Sequence, residues 1–407
     1  MNNGYPSTVP GTRPSLIEIF LIFLRLGLTS FGGPIAHIGY FRQEFVGKRK
    51  WLDEHAYGDL VSLCQFLPGP ASSQVGIALG LSRGGILGAI AAWLGFTLPS
   101  AIVLVLFGLG FSYFGDGAGS GWLHGLKVVA VAVVAQAISG MAKTLCPDRP
   151  RISIAVCAAV VATAFPSTIG QIAVILIGGI FGWAFLRPSG ALPHSSIQTN
   201  TGAVTGSMFL FAFFVLLLAL PIYASSSGDY AVKLFDGFFR AGALVFGGGH
   251  VVLPLLQQEV VPSGWVSDDA FLAGYGAAQA VPGPLFTFAA FLGAVSTQSP
   301  SGWLGAAIAL VAIFLPAFLL IVGTLPFWEH LRKYSLMRRA MLGVNASVVG
   351  LLLAAFYNPV WIKAISTSSD FCLAVVAFVL LEVWKWPPWL VVLLTVLAAG
   401  LRLLIFT

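Results

Sequence analysis

The chain has 407 residues, of which 57% are hydrophobic and only 9% charged, and its mean hydropathy is +0.91. An ordinary soluble protein carries roughly 25% charged residues, so this chain has too few polar groups to cover a water-facing surface, and a soluble fold is excluded. The formal net charge of +6 does not point to nucleic acid, because Lys and Arg sit in short clusters between apolar stretches, as membrane topology requires.

In chain order, residues 1–15 are polar and lack the charged start and cleavage site of a secretory signal, so they read as a cytoplasmic tail. The stretch FLRLGLTSFGGPIAHIGYFRQEFV follows, from Phe23 to Val46, and then a basic loop with Arg42, Lys48, Arg49 and Lys50. Next comes Gln65-Phe66-Leu67-Pro68-Gly69-Pro70, continued by Ala71-Ser72-Ser73-Gln74. Stretches 86–111 and 122–141 are apolar enough to span, since about 20 helical residues cross about 30 Å of hydrocarbon. A linker rich in Ser, Thr, Gly and Pro occupies 188–206, and 208–223 is another apolar span. The second half opens with FFRAGALVFGGGHVVLPLLQQEVV, from Phe238 to Val261, reaches Gln279-Ala280-Val281-Pro282-Gly283-Pro284, and ends with spans at 303–327 and 389–406.

The chain therefore repeats itself. At a constant offset of 215, Arg25 falls on Arg240, Phe31-Gly32-Gly33 on Phe246-Gly247-Gly248, and Glu44 on Glu259. One residue is then lost, Trp51 meets Trp265, and the two Q-x-x-P-G-P segments coincide. Loop charges predict how the halves lie. The loop after the first F-G-G is basic, while its counterpart, 257–269, has no Lys or Arg; the next long loop reverses this, with 111–121 lacking basic residues and its counterpart carrying Arg332, Lys333, Arg338 and Arg339. Cytoplasmic loops collect Lys and Arg, so equivalent loops fall on opposite sides, as in inverted-repeat transporters. A parallel repeat with accidental loop charges is the alternative.

The expected fold is an all-α polytopic membrane protein of two inverted-topology repeats, with broken or re-entrant helices at the F-G-G and P-G-P elements. The expected organisation is a cytoplasmic tail (1–15), a first transmembrane repeat (16–187), a polar cytoplasmic linker (188–206), an inverting helix with a periplasmic loop (207–230) and a second repeat (231–407). With Arg13 and Arg187 both cytoplasmic, the first half crosses an even number of times and 208–223 flips the second half. The C-terminus is then periplasmic.

Chemistry should concentrate at the breaks. Gly and Pro at membrane depth survive only where the backbone is buried in protein or lines a cavity, and paired Gly/Pro-interrupted segments point to a transport site. Broken helices expose N-termini, whose unpaired N–H groups and partial positive charge suit an anion. Candidate contacts are Ser30, Phe31, Gly32, Gly33, Gln65, Pro68, Gly69, Pro70, Ser72, Ser73 and Gln74 in the first half. In the second they are Phe246, Gly247, Gly248, Gly249, His250, Gln279, Pro282, Gly283, Pro284 and Thr287. A structural kink is the plainer reading of each P-G-P.

Arg25, Arg240 and Lys127 are cations inside apolar stretches, where charge is expensive. Each arginine either holds two oxygens of one tetrahedral anion, snorkels to an interface, or pairs with a carboxylate such as Glu18 or Asp236. Lys127 falls opposite Asn345 and either joins the site with it or caps a neighbouring span. His37 and His250 follow the F-G-G elements in different registers, as coupling groups or polar linings; Asp59 is the nearest acidic candidate for coupling.

Enzyme signatures are sparse: the chain has no H-E-x-x-H, Walker A loop or dinucleotide fingerprint. Cys64, Cys146, Cys157 and Cys372 form no C-x-x-C pair, so no disulfide framework, metal site or cofactor is expected. Active transport would then draw on ion gradients or membrane potential.

The segments Arg25–Pro34, Trp51-Leu52-Asp53-Glu54 and Cys64–Gln74, with the second-half F-G-G-G-H and Q-x-x-P-G-P, resemble the chromate ion transporter (CHR) family in its long, two-domain form. The resemblance implies export of chromate from the cytoplasm of a bacterium across its plasma membrane by a secondary mechanism, giving resistance. A permease for sulfate, which matches chromate in size, shape and charge, is one alternative; an anion channel is another. The partners expected are the oxyanion and the lipid bilayer, with no nucleic acid; a homodimer is left open.

Overall fold

The computed structural model describes residues 14–114, 121–187, 202–328 and 335–406. The tail 1–13, Arg332, Lys333 and most of the linker 188–206 lie outside the described residues. Among the described residues every regular element is helical, and six helices are long and apolar enough to cross a membrane. The protein is an all-α polytopic membrane protein.

The first half opens with α1 (Leu16–Thr29), capped by Ser15, whose hydroxyl accepts from the Glu18 N–H at 3.1 Å. At 14 residues and about 1.5 Å per residue, it falls short of about 30 Å of hydrocarbon. The backbone breaks at Ser30–Gly32, and α2 (Gly33–Phe41), extended by a π turn Arg42–Lys48, folds back along α1. The Phe23 ring on α1 lies 5.7 Å from Phe41 and 5.1 Å from Phe45. F-G-G is thus the tip of a helical hairpin.

A second hairpin follows. Asp53 caps α3 (Glu54–Phe66) by accepting the Ala56 N–H at 2.7 Å. The chain turns at Pro68-Gly69-Pro70 and leaves along α4 (Ala71–Phe114). Arg83 reaches back to the Trp51 carbonyl and stacks over its ring at 5.4 Å, so the far ends of the two arms are clamped. Helix α4 itself reverses at Gly84 and Gly85, whose φ/ψ are non-helical. Gly80 and Gly88 then touch backbone to backbone, which a continuous helix would hold about 12 Å apart. The short arm 71–83 closes the hairpin, and the long arm 86–114 runs back past both tips. Helices α5 (Gly121–Leu145), α6 (Arg149–Ala164) and α7 (Thr168–Phe185) complete the half.

Helix α8 (Ala203–Ser227) is peripheral, with 11% of its most apolar window buried. It leans on α9 (Tyr230–Leu244) and α13 (Gly302–Thr324). The second half repeats the hairpins. Helix α9 breaks at Val245–Gly248 and returns through the turn Gly249–Val251 as α10 (Val252–Val260); α11 (Asp268–Ala278) turns at Pro282-Gly283-Pro284 into Leu285–Thr287 and α12 (Phe288–Ala294). The Thr297 N–H donates to the Trp265 carbonyl at 3.0 Å, closing this hairpin at the positions where Arg83 and Trp51 close the other. Helix α13, carrying Pro316 as α4 carries Pro99, is followed by α14 (Ser335–Ala355, prolonged by a π turn Phe356–Trp361), α15 (Ser368–Glu382) and α16 (Pro388–Phe406).

Two packing relations join the halves. The long arm of α4 and α13 run antiparallel, with Trp93 5.8 Å from Phe314 and Gly302 beside Leu109. The outer helices exchange partners: α5 packs on α15 and α16, while α14 packs on α6 and α7. Across the first of these contacts, Lys143 pairs with Glu382 at 2.8 Å and His124 with Asp370 at 2.9 Å.

Candidate functional site at the crossing of four hairpin tips

The P-G-P tip of each half is bonded to the F-G-G tip of the other. The Gly69 N–H donates to the Val245 carbonyl at 2.7 Å, and the Gly283 N–H donates to the Ser30 carbonyl at 2.9 Å. Ser30 and Val245 each directly precede F-G-G, so one bond is made twice with the roles of the halves exchanged. Between them, Pro34 of one F-G-G tip lies against Gly249 of the other.

Glycine is required at both donors. Gly69 has φ +120° and Gly283 φ +103°, a left-handed region that residues with a Cβ rarely adopt. A Cβ on Gly283 would also sit 2.8 Å from Ser100 Oγ, and one on Gly69 3.1 Å from the Ala317 side chain. The prolines beside them stop the chain from remaining helical, so sequence alone dictates a tight reversal here.

Each tip is also where a helix begins. Helix α2 starts at Gly33 and the turn into α10 at Gly249, neither with a side-chain cap, and the turn into α12 starts at Leu285, also uncapped; the short arm of α4 starts at Ala71. Their leading N–H groups and partial positive charge converge on one region.

Buried polar atoms without partners line the first-half side: Ser30 Oγ, Ser73 Oγ, Gln74 Oε1 and Thr97 Oγ1, on residues no more than 3% exposed. Buried donors and acceptors are normally satisfied, so this concentration marks a place built for something else. Gln74 Nε2 donates to the Pro68 carbonyl at 2.8 Å and stiffens the tip. His37 joins both hairpins, with Nε2 3.1 Å from the Ser30 carbonyl and Nδ1 3.4 Å from Ser72 Oγ. A carbonyl only accepts, so Nε2 carries the proton and Nδ1 accepts from the Ser72 hydroxyl. On the second-half side, Asn345 Oδ1 and Gln279 Nε2 lack partners, and Asn345 Oδ1 would lie 3.4 Å from a Cβ on Gly247. Thr287 Oγ1 is turned back onto the Pro284 carbonyl at 2.8 Å.

Other expected contacts lie elsewhere. Arg25 is on the exposed face of α1 with Leu21 and Leu28. Arg240 is held by carboxylates: Nη1 and Nη2 bond Glu259 at 2.9 and 3.0 Å, and Nε bonds Asp236 at 3.0 Å. A shared arginine clamp is therefore not what the geometry builds, because one guanidinium faces outward and the other is already neutralised. Lys127 pairs with Asp269 at the outer end of α11, at 3.0 Å, rather than joining Asn345. Gln65 is exposed. The Phe31 ring lies 6.5 Å from that of Trp389, tilted by 51°, and Phe246 faces an apolar groove with Leu244 and Val344. His250 bonds the Tyr275 hydroxyl at 2.7 Å, behind the tip. Gly32, Gly248, Pro70, Pro282 and Pro284 shape the tips. Asp59 is buried on α3.

Sequence reasoning offered Asp236 as a partner for Arg240, at i,i+4 spacing, but passed over Thr97, Ser100 and the second carboxylate, Glu259. Among the described residues no cluster of His, Cys, Asp or Glu could hold a metal, and all four cysteines are unpaired. A groove of about 710 Å³ between α6 and α14, lined by residues such as Val160, Leu353 and Trp361, is apolar and belongs to the outer surface.

Paired helical hairpins meeting among helices long enough to span describe a polytopic membrane protein. The chain belongs to the chromate transporter family, whose sequence profile matches residues 17–183 and 232–401. It is 31% identical over 402 residues to the chromate transport protein of Pseudomonas aeruginosa, covering 94% of this chain and 91% of that one. It is 30% identical over 347 residues to a probable chromate transport protein of Synechococcus elongatus, covering 84% of each. An uncharacterized Bacillus subtilis transporter, YwrA, is 30% identical over 175 residues, which is 96% of that protein but 42% of this chain. No solved structure matches.

Proposed function

We propose that this protein is a secondary transporter that exports chromate from the bacterial cytoplasm and binds the dianion where the four hairpin tips cross. The reciprocal bonds Gly69 to Val245 and Gly283 to Ser30 carry the reading. They bring uncapped helix starts from both halves to one place, beside the unpartnered hydroxyls of Ser30 and Ser73. Such a site holds an oxyanion with partial charges and hydrogen bonds and needs no full cation. The relatives' names supply chromate.

On this reading the hairpins are re-entrant, the halves are inverted across the inner membrane, and the N-terminus is cytoplasmic with the C-terminus periplasmic. The antiparallel course of α4 and α13 and the mirrored loop charges support that orientation. Release to either side then requires one of the two reciprocal tip contacts to open while the other stays closed. Membrane potential favours the direction: moving a dianion out of a negative compartment gains roughly 4.6 kcal/mol per 100 mV. The transporter relatives favour transport over catalysis, and resistance follows from export alone.

The test is chromate uptake into everted vesicles under an imposed potential, with sulfate as competitor. Saturable, potential-dependent uptake that is mostly lost in Gly283→Ala is expected. Channel-like unsaturable flux, uptake indifferent to potential, or sulfate outcompeting chromate would each overturn the reading in a different part.

A further inference from the structure

Helices α6 and α7 are each drawn onto α14 by small residues. On α7, Gly178 and Gly182 meet Gly343, and on α6, Ala155 and Ala158 meet Gly350, so the backbones approach closely. The two helices touch each other far less than either touches α14. Between them runs a groove of about 330 Å³ with Ser347 of α14 at its floor. Its walls are apolar, among them Ile154, Val161, Ile177 and Phe181, and the last two stay about half exposed on the outer surface. From Pro150 to Val161 the groove follows α6 for about 16 Å. That is the hydrocarbon depth of one leaflet, half of about 30 Å.

One end of the groove is basic. Pro150 lines it between Arg149 and Arg151, and Leu186 lines it just before Arg187. Arg339 lies about two turns before Ser347, on the stripe of α14 that faces α7. Helices α6, α7 and α14 contain no Asp or Glu. Asp148, which caps α6, is taken up by Arg151 at 2.6 and 2.9 Å. Arg149, Arg187 and Arg339 have no carboxylate partner among the described residues. The first two are exposed, and the Nε of Arg339 is buried with no partner among the described residues. Buried N–H groups are normally bonded, and a guanidinium fork suits a phosphate.

A second copy of the chain is a poor occupant. A two-fold interface sets the same patch against itself and would bring the unpaired arginines of both copies together. A free anion would leave the apolar length unfilled. The larger groove beside α14 lacks such an end: Lys363, two residues past its Trp361, is paired with Asp268 at 3.1 Å.

We propose that the groove between α6 and α7 seats one anionic glycerophospholipid, an acyl chain along its walls and the phosphate held by Arg149, Arg187 and Arg339. Basic pockets between spanning helices hold acidic headgroups in this way. None of the lining residues belongs to the four tips, so occupancy does not depend on which anion is carried. The groove lies at the seam where two helices of the first half pack on one of the second, and a bound lipid braces the halves against each other.

The test uses the purified full chain in detergent micelles, with phosphatidylglycerol or phosphatidylcholine of the same acyl chains added. Cys157, exposed on the groove wall, is the reporter, and Cys372, exposed on α15, is the internal control. Phosphatidylglycerol should slow alkylation of Cys157 by an uncharged maleimide and leave Cys372 unchanged, while phosphatidylcholine and inorganic phosphate should do neither. Arg149→Gln combined with Arg187→Gln should raise the phosphatidylglycerol needed for half protection by about 25-fold, roughly fivefold for each arginine. No protection by phosphatidylglycerol, or equal protection by both lipids, overturns the proposal. So does protection by phosphate alone, or protection that grows with protein concentration in the absence of lipid, the mark of a second copy. If the paired variant fails to fold, the comparison of the two lipids on the wild type decides.

Discussion

The two halves share a scaffold and differ in what they put on it. At the position of Asp236 the first half has Leu21, at Gly237 it has Ile22, and the arginine equivalent to Arg240 is Arg25. Arg25 points outward, and Glu44, the counterpart of Glu259, is bonded instead to Arg49 at 2.8 Å, with Lys48 nearby at 3.5 Å. The second half thus buries a charge cluster that the first half cannot form. The hydroxyls run the other way: Ser72, Ser73 and Gln74 follow the first P-G-P, whereas Leu285, Phe286 and Thr287 follow the second, with Thr287 turned onto its own backbone. Duplication supplied two equal frames, and the polar groups were then divided, with buried unpartnered hydroxyls mainly on one frame and a buried charge cluster on the other.

The largest expected effect sets Arg240 against Arg25. Removing one partner from a buried ion cluster costs about 3–5 kcal/mol, because the remaining charges are left uncompensated. Arg240→Gln should therefore lower the melting temperature in detergent sharply. Arg25→Gln, on the exposed face of α1, should stay within about 0.5 kcal/mol of wild type and keep export in vesicles. Equal losses from the two variants would show that the equivalence in sequence outweighs the difference in surroundings.

Next comes the backbone of the crossing. Forcing a Cβ onto the left-handed Gly69 or Gly283 costs about 1–3 kcal/mol of strain at each. Gly283→Ala should be the worse of the two, since its Cβ would fall 2.8 Å from Ser100 Oγ against 3.1 Å from Ala317. Both should lose most chromate uptake while the protein still reaches the membrane. Uptake at wild-type levels in both would mean that the reciprocal bonds do not shape the site.

The third effect is on affinity. Ser73→Ala removes an unpartnered buried hydroxyl and should raise the KM for chromate by about tenfold, the value of a hydrogen bond to a charged group. Thr287→Ala should raise it much less, its hydroxyl being already satisfied. Initial-rate curves for the two variants decide this; a reversed order would place the donors on the wrong frame.

How much of this was legible in the sequence follows from the range of each interaction. The tips could be located because Gly and Pro act on their own backbone, so F-G-G and P-G-P announce reversals wherever they occur. Which tip bonds which could not be read, since the Gly69–Val245 contact joins residues far apart in the chain. Which of the roles open to each arginine it takes could not be read, for a different reason. Helix α1 is apolar on every side, and Ile17, Leu21 and Leu28 share the exposed face with Arg25; hydropathy counts residues along a stretch and does not say which side faces lipid. Glu259 escaped as a partner of Arg240 because it arrives only after the hairpin folds back.

The smallest effect concerns Lys127 and Asn345, which occupy equivalent positions on α5 and α14. Asn345 lies at the second F-G-G tip with an unpartnered Oδ1, while Lys127 pairs with Asp269, whose side chain is 69% exposed. An ion pair with one exposed member contributes under about 1 kcal/mol. Lys127→Gln should therefore leave melting temperature and chromate KM nearly unchanged, and the small loss that remains should fade as salt screens the pair. Asn345→Ala should shift KM measurably and be indifferent to salt, because its carbonyl acts at short range inside the crossing. A Lys127 variant that loses transport at every ionic strength would put a cation back into the site and remove the contrast between the halves at this position.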